Sequence, residues 1–254
     1  NLKMISGKSD QKDKKNILKN LSSHKIDIIF GTHAIFQKKV NFKNLGLIII
    51  DEQHKFGVNQ RKKLSDKGGD NCDVLLMSAT PIPRTLTMTI YGDMDLSIIK
   101  EKPKLRKEVK TYSKIESKID EIIKFITKEI NEGNQIFWVC PLIEESKKLD
   151  HSSAVKKFEY LKKLFPNQVS LLHGKTDIEE KEIILNKFLK NEFKILVSTT
   201  IIEVGIDFPN ANVIIIENAN KFGLSQLHQL RGRVGRGSKS STCILMFKSN
   251  LSEN

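Results

Sequence analysis

Short apolar segments rich in β-branched residues alternate along this chain with segments of helical periodicity. Such alternation predicts parallel strands joined by crossover helices, and strands that are apolar throughout are typical of a sheet covered on both faces. The predicted strands span residues 26–30, 47–50, 74–77, 136–140, 169–172, 194–198, 213–216 and 242–247. Ligands of open α/β sheets bind at the carboxyl ends of the strands, so the residues that follow each strand are the first candidates for a functional site.

Two capping boxes predict helix starts, one formed by Ser113 with Glu116 and one by Thr176 with Glu179. The first helix has an apolar face made of Ile115, Ile119, Ile122, Ile126 and Ile130. Residues 99–112 (IKEKPKLRKEVKTY) are charged and lack periodicity, which is typical of a linker. The sequence therefore predicts an α/β protein with two lobes, residues 1–105 and residues 106–254.

The net charge of +13 favours a polyanionic partner, although a lysine-rich composition is equally compatible with an AT-rich genome. Only six of the 43 basic residues are arginine, and three of these fall within residues 231–236. The three cysteines (Cys72, Cys140 and Cys243) have no CxxC spacing and lie beside or within apolar segments, so we expect buried thiols.

No apolar segment approaches the roughly 20 residues needed to cross a bilayer. The amino terminus has neither an initiator methionine nor an apolar signal core. We therefore expect a cytoplasmic protein without a membrane association, whose chain continues upstream of Asn1.

The predicted strand at 47–50 is followed by Asp51, Glu52, Gln53 and His54. An apolar strand that ends in two adjacent acids has the form of a Walker B element. In that element the first carboxylate binds Mg²⁺ and the second orients or deprotonates the attacking water. An Asp-Glu pair also occurs where a strand simply ends in a turn, and the DEQH tetrad is the more specific signal.

The strand at 74–77 is followed by Ser78, Ala79 and Thr80. Small hydroxyl side chains at a strand end can relay hydrogen bonds from a nucleotide site, whereas an ordinary turn that stops at Pro81 explains the same residues.

A later segment extends this pattern of polar residues after a strand. Thr199, Thr200, Gly205 and Asp207 follow the strand at 194–198, where hydroxyls, a glycine and an acid suit contacts with a phosphodiester backbone and a nucleotide.

Residues 229–237 (QLRGRVGRG) contain the arginine cluster and three glycines that let the backbone approach a ligand closely. Arg233 and Arg236 are three residues apart, so on a helical turn both point to one side. Two guanidinium groups facing the same way suit the charge that develops on a transferred phosphoryl group. The alternative is a solvated basic turn that binds nucleic acid or nothing.

In this order and at these separations, the segments resemble motifs II, III, V and VI of superfamily 2 helicases, and most of all those of the RecG family of branched-DNA helicases. The resemblance covers essentially the whole chain. The strings that carry it are DEQHKFGVNQR (51–61), SATPIPRTL (78–86), FWVCPLIEES (137–146) and IIEVGIDFPNANVIIIENANKFGLSQLHQLRGRVGRG (201–237), with GTHAIFQ (31–37) as the DNA-contacting segment. Transcription-repair coupling translocases are the second choice, because they tend to carry DEEH and lack CPLIEES.

The resemblance implies two RecA-like lobes, the first truncated at its amino terminus, with ATP in the cleft between them. Asp51 would bind Mg²⁺ and Glu52 would activate water. The remaining nucleotide and coupling residues that it implies are Gln53, His54, Ser78, Ala79, Thr80, Gly205, Asp207 and Gln229, with Arg233 and Arg236 as arginine fingers.

The resemblance also implies DNA contacts from both lobes, at Gly31, Thr32, His33, His173, Gly174, Thr199 and Thr200. His33 and His173 are as compatible with a structural role as with a DNA contact. Phosphate contacts would bind DNA without reading its sequence and would weaken with salt.

A motor of this kind needs a phosphate-binding loop of the form GxxxxGK[ST]. Gly7, Lys8 and Ser9 match its end, but Leu2 occupies the position of the first glycine and no strand is predicted before it. We therefore predict that this loop lies upstream of Asn1, that residues 7–9 only lead into a helix at 11–21, and that these 254 residues alone hydrolyse ATP poorly.

The function predicted for the complete gene product is an ATP-dependent DNA helicase or translocase that remodels branched DNA, such as stalled replication forks and recombination junctions, in DNA repair. Its expected cofactors are ATP and Mg²⁺, and its expected state is a monomer. The alternatives are a transcription-repair coupling-type translocase of duplex DNA, an RNA helicase, and a non-catalytic module derived from such a motor that binds nucleic acid.

Overall fold

The computed structural model describes residues 1–7, 9–52, 56–69, 71–78, 95–99, 101, 107–141, 147–174, 176–199, 208–235, 237 and 239–248. The chain forms two compact units, Asn1–Ile90 and Tyr91–Asn254. The sequence-based boundary between residues 105 and 106 stays a prediction. Among the described residues, no helix combines the length and the apolar character that a bilayer-spanning segment needs.

The second unit is built on a six-stranded sheet in which every pair of neighbours is parallel, with the strand order β5-β10-β9-β6-β8-β7. Its strands are β5 (Val109–Ile115), β6 (Gln135–Val139), β7 (Val169–Leu172), β8 (Ile195–Ser198), β9 (Ala211–Ile216) and β10 (Ser241–Phe247). This sheet confirms the prediction of a parallel α/β fold.

Helices cover this sheet on both faces. They are α3 (Ile119–Asn131), α4 (Lys147–Leu164), α5 (Ile178–Leu189) and α6 (Leu224–Arg231). Alternate residues of β6 enter two separate apolar clusters, Phe137 on one face and Trp138 on the other. The Phe137 cluster includes residues of α5 and α6, and the Trp138 cluster includes residues of α3 and α4. The central strands are therefore buried on both sides, as their apolar sequences predict.

Among its described residues, the first unit contains two separate pairs of parallel strands. One pair is β1 (Leu2–Ile5) with β2 (Ile28–Gly31), and the other is β3 (Leu47–Ile50) with β4 (Asp73–Leu76). Its described helices are α1 (Gln11–Ser22) and α2 (Val58–Gly68). Alternate apolar side chains of these strands are exposed, among them Leu2, Met4, Ile28, Phe30, Leu47 and Ile49. The expectation that every strand is covered on both faces is therefore wrong for this unit.

The predicted linker at 99–112 is wrong at its end, because Val109–Ile115 forms β5 at the edge of the large sheet. The capping box at Ser113 is also wrong, since Ser113 lies within β5 and α3 begins at Ile119 after Lys118. Ile122, Ile126 and Ile130 nevertheless form the buried face of α3. An edge strand can carry lysines and hydroxyl residues toward solvent, which hides the apolar pattern of a strand.

The second predicted capping box is wrong by one residue. The cap of α5 is Asp177, and the Thr176 hydroxyl instead accepts a hydrogen bond from the backbone N–H of His173 at 3.1 Å. Thr176 therefore stabilises the turn after β7 rather than the helix.

The cysteines are free thiols. Cys140 and Cys243 are buried, as predicted, whereas Cys72 is half-buried. Burial, with the nearby Glu217 carboxylate as a smaller cause, raises the pKa of the Cys140 thiol far above its usual range. Burial raises the pKa of Cys243 to about 11.

A largely buried ion pair fastens α4 to the carboxyl edge of the large sheet. Lys157 Nζ lies 2.7 Å from the Oε1 atom of Glu217, the residue directly after β9, and the two side chains are 19% and 14% exposed. The same ammonium group lies 5.2 Å from the centroid of the Trp138 ring, a cation–π contact. Glu217 also accepts a hydrogen bond from the Cys140 thiol at 3.6 Å.

We predict that Lys157→Met, which retains the aliphatic stem, lowers the free energy of unfolding of the second unit. Removing one partner of a buried pair costs about 3–5 kcal/mol, and the residual exposure here places the loss at the lower end, about 3 kcal/mol. The double variant Lys157→Met with Glu217→Gln should recover part of this loss, because it leaves no uncompensated charge. Trp138 is the one tryptophan of the chain, so its fluorescence during urea unfolding reports on this unit.

The matched control is Lys156→Met, at an exposed position on the same helix. The single variants of the pair are Lys157→Met and Glu217→Gln. If the loss in the double variant equals the sum of the losses in these two, the pair has no coupling free energy and the prediction is contradicted.

Candidate functional site

The acid pair and the first hydroxyl residue lie at one edge of the β3–β4 pair. Asp51 and Glu52 follow β3 directly, and Ser78 lies two residues after β4. Ile50 pairs with Leu76, and the Met77 N–H donates to the Ile50 carbonyl oxygen at 2.8 Å. Because the two strands are parallel and in this register, the residues that follow them share the carboxyl edge.

The backbone at the acid pair has an unusual conformation. Glu52 has a φ of 48°, in the left-handed region that residues other than glycine rarely adopt. The Oδ1 atom of Asp51 accepts the Glu52 N–H at 2.8 Å. Asp51 is exposed and Glu52 is half-buried. Such strain costs about 1–3 kcal/mol and is concentrated at functional sites. Gln53, His54, Ala79 and Thr80 lie outside the described residues.

The GTHAIF segment follows β2 in the same unit. A Cβ atom on Gly31 would lie 2.5 Å from the Ile35 side chain and 2.8 Å from the Ile5 carbonyl oxygen, so the close packing here requires glycine. Thr32 then caps a 3₁₀ turn formed by His33–Phe36. Thr32 and His33 are exposed, and the His33 ring centroid lies 4.9 Å from that of Phe56.

The Gly7 loop has a context that the sequence did not predict. Strand β1 ends at Ile5, directly before Ser6 and Gly7, and α1 begins at Gln11, so the expectation that no strand precedes this loop is wrong. The predicted helix after it is confirmed. The Ser6 N–H donates to Ser9 Oγ at 2.9 Å, and Lys14 Nζ donates to the Gly7 carbonyl oxygen at 2.8 Å. Lys8 lies outside the described residues, and Leu2 remains at the position of the first glycine.

In the second unit, His173 and Gly174 follow β7 and Thr199 follows the neighbouring β8, which places all three at the carboxyl edge of the large sheet. The Thr199 N–H donates to the Leu172 carbonyl oxygen at 3.3 Å. Gly174 is exposed, His173 is half-buried, and Thr199 is buried. Thr200 lies outside the described residues.

The arginine segment lies at the opposite edge. Helix α6 begins after the carboxyl end of β9 and ends at Arg231, ten residues before β10 begins at Ser241, so its last turn lies at the amino edge of the sheet. Gln229 is in that turn and Arg233 follows it, and both are half-buried. The expectation that candidate residues follow strands is therefore wrong for this segment, which follows a helix and precedes a strand.

The segment after Arg233 does not continue the helix. Gly235 has a φ of 78°, so the argument that Arg233 and Arg236 share the face of one helical turn is wrong. A Cβ atom on Gly235 would lie 2.8 Å from Val109 Cγ2, and one on Gly237 would lie 2.6 Å from the Pro209 carbonyl oxygen. The loop is thus packed against the start of β5 and the approach to β9. Arg236, Gly205 and Asp207 lie outside the described residues.

Two residues in the first unit escaped the sequence analysis. Phe56 contacts the rings of both His33 and Phe36. Lys67 Nζ donates to the carbonyl oxygens of Gln37 at 2.8 Å and Val40 at 2.6 Å. Burial lowers the pKa of Lys67. Phe56 could have been noticed within DEQHKF, whereas nothing distinguishes Lys67 from the other lysines of its helix in sequence.

Comparisons with known proteins place these segments in a family. A DEAD/DEAH box helicase model matches residues 1–89, and a helicase conserved C-terminal domain model matches residues 117–238. The ATP-dependent DNA helicase RecG of Bacillus subtilis is 51% identical over 237 residues, which are 92% of this chain and 35% of that protein. RecG of Aquifex aeolicus is 52% identical over 253 residues, 99% of this chain and 32% of that protein.

The fold comparison agrees. A structure of RecG bound to a three-way DNA junction matches 99% of this chain and 32% of that chain, with a TM-score of 0.67 and 44% identity. This chain is similar to the RecG helicases over nearly its whole length. The match confirms the RecA-like, superfamily 2 fold class. A structure of Mss116p bound to single-stranded RNA, with a TM-score of 0.66 and 20% identity, is similar in fold alone.

The chain spans about a third of the length of the RecG relatives it matches. Both family models together include the acid pair, the hydroxyl segments and the arginine segment. Among the described residues, no group of three or more His, Cys, Asp or Glu side chains is placed to hold a metal ion.

We predict that Gly237→Ala displaces the arginine loop of this chain, because the new methyl group would overlap the Pro209 carbonyl group. Overpacking of this kind costs about 1–3 kcal/mol. Urea unfolding followed by Trp138 fluorescence measures the loss. The matched control is Gly223→Ala at the other end of α6, where φ is −65° and the nearest atom is a flexible glutamine side chain at 3.8 Å. Equal stability of the two variants would contradict a tightly packed loop.

Proposed function

We propose that this chain belongs to the motor of an ATP-dependent DNA helicase that remodels branched DNA, such as stalled replication forks and recombination junctions. The observation that carries the proposal is the acid pair, held in a left-handed turn at the carboxyl edge of β3. Similarity to RecG over nearly the whole chain supports it, as does the relative that was solved with a three-way DNA junction. A monomeric state and a cytoplasmic location are part of the proposal.

Asp51 suits a magnesium ligand. Its side chain is exposed, and one of its carboxylate oxygens is oriented by the Glu52 N–H. Mg²⁺ in nucleotide sites is bound by one or two carboxylates together with phosphates and waters, so a cluster of three protein ligands is unnecessary. When bound, Mg²⁺ would neutralise charge on the β- and γ-phosphates of ATP. Asp51 would therefore hold the ion, and Glu52 would be the second metal-site candidate and the base that orients and deprotonates the attacking water.

The second unit supplies positive charge. Arg233 follows α6 in a loop that Gly235 and Gly237 pack against the sheet, so its guanidinium group starts from a fixed backbone. A preorganised cation stabilises the charge on a transferred phosphoryl group more effectively than a mobile one. We propose that Arg233 and Arg236 act as arginine fingers and that Gln229, Gly205 and Asp207 contact the nucleotide. Gln53, His54, Ser78, Ala79 and Thr80 would couple hydrolysis to movement.

DNA contacts are proposed at the carboxyl edges. Thr32 and Gly31 in the first unit, and Gly174 in the second, are exposed beside strand ends, where backbone and hydroxyl groups can meet phosphates. His173, Thr199 and Thr200 complete the proposed set, and His33 is as compatible with a structural role as with a DNA contact. The net charge of +13 supports a polyanionic ligand.

We predict that Glu52→Gln in the complete gene product leaves ATP binding intact but lowers DNA-stimulated ATP hydrolysis. Loss of a general base typically lowers the rate by about 10²–10⁴-fold. ATP binding is measured with a fluorescent analogue and turnover by phosphate release on forked DNA. Glu116→Gln is the matched control, because Glu116 also follows a parallel strand directly but has no proposed role in hydrolysis.

Three results would contradict the proposal. Full turnover by Glu52→Gln would show that Glu52 is not the general base for hydrolysis. A wild-type protein that binds DNA without hydrolysing ATP would be a non-catalytic module. Stimulation and unwinding with an RNA duplex but not with forked DNA would assign the motor to RNA.

A further inference from the structure

Three aromatic rings join the GTHAIF segment to the polypeptide just after the acid pair. The centroid of the Phe56 ring lies 4.9 Å from that of His33 and 5.1 Å from that of Phe36, with tilted planes. The His33 and Phe36 centroids are 6.0 Å apart. These separations are those of favourable aromatic pairs. Phe56 lies four residues after Glu52 and two residues before α2 begins, so the contact is made at the start of that helix.

A second contact is made at the other end of α2. Lys67, in its last turn, donates to the carbonyl oxygens of Gln37 and Val40. Gln37 directly follows the 3₁₀ turn His33–Phe36, and Val40 lies three residues further along the chain. Phe56 and Lys67 thus contact the segment from opposite ends of α2, whose 11 residues are about 16 Å long. Segment 33–40 is therefore held at two separated points, which resists rotation as well as translation relative to α2.

Between these two contacts, apolar packing also joins segment 33–40 to α2. Leu64 in the middle of α2 is buried with Ile48 and Ile50 of β3, and Ile35 and Phe36 pack against that cluster. Within segment 33–40, Ala34 and Val40 are buried. The strand that carries the acids, the helix that follows them and the GTHAIF segment thus share one packed core.

From this arrangement we infer that Phe56 and Lys67 are positioning residues that couple DNA binding at Thr32 to the placement of Asp51 and Glu52. The ring of His33 belongs to the same contact and packs on Phe56 rather than binding DNA. The inference rests on the proposed function and adds the physical connection between its two ligands. A ligand shifts an equilibrium only through groups that move together, and measured couplings between sites are typically about 5–150-fold.

The first test is Phe56→Leu in the complete gene product, with ATP hydrolysis measured without DNA and at saturating forked DNA. Loss of the ring contact should reduce stimulation by DNA at least about fivefold, the lower limit of typical couplings. Hydrolysis without DNA and the Kd for DNA should remain within about twofold of wild type, because no ligand contact is removed. Phe56→Tyr retains the ring and should restore stimulation.

The matched control is Phe42→Leu, at a half-buried phenylalanine of the same unit that packs on a different cluster, with Leu21, Ile26 and Val40. It should leave stimulation unchanged. An equal loss of stimulation in Phe42→Leu and Phe56→Leu would show a general effect of destabilising the unit and would overturn the inference.

The second test does not depend on the apolar core. Lys67→Met retains the stem and removes the donor to the two carbonyl groups, and it should reduce stimulation as Phe56→Leu does. Lys63→Met, one turn earlier at an exposed position of α2, is its control. Unchanged stimulation in Lys67→Met would overturn the second point of attachment.

Variants of His33 distinguish packing by its ring from a DNA contact by its ring nitrogens. His33→Phe retains the packing and removes the ring nitrogens, so stimulation by DNA should persist, whereas His33→Ala should lose it. A large loss of DNA affinity in His33→Phe would instead make His33 a DNA contact. If wild-type hydrolysis shows no response to DNA at all, the proposed function fails. If the wild type responds to DNA but the variants do not show the predicted changes in stimulation, only the inferred coupling is overturned.

Discussion

The burial of a parallel sheet on both faces determines where this chain can carry chemistry. In the second unit the side chains of residues 136–139 in β6 alternate between two apolar clusters. The buried Gln135 at the start of this strand is hydrogen-bonded to the carbonyl oxygens of Phe188 and Phe193. An unpartnered polar group in such an interior costs free energy that apolar packing does not return. Reactive and charged side chains are consequently found at the two edges, where strands end and loops begin.

The two edges of the second unit receive different candidate residues. His173 and Thr199 follow strands at the carboxyl edge, whereas Arg233 follows a helix at the amino edge. Strand β8 is four residues long, which separates the edges by about 13 Å. We propose that the first edge contacts DNA and the second edge contacts ATP. In the first unit the acids lie at a carboxyl edge, and the aromatic contact of Phe56 with His33 brings the DNA-contacting segment to them.

The sequence predicted the parallel α/β class, the core strands and the motif segments, because an apolar strand followed by acids or hydroxyls is a local signal. It missed β5, whose lysines and hydroxyl residues are compatible with an exposed edge strand, and β1, which precedes Gly7. The edge that carries Arg233 depends on the path of α6 across the sheet, which no short pattern contains. Lys67 is 27 residues from Val40, so only the folded chain shows that they meet.

The most direct test of this account compares His173→Ala with Arg233→Ala in the complete gene product, by measuring the Kd for forked DNA and kcat at saturating DNA and ATP. The account predicts that His173→Ala weakens DNA binding and retains kcat. It predicts that Arg233→Ala lowers kcat by about 10³-fold or more, the typical effect of losing an arginine finger, and leaves the Kd for DNA nearly unchanged. Weaker DNA binding with unchanged kcat in Arg233→Ala would contradict the division of DNA and ATP between the two edges.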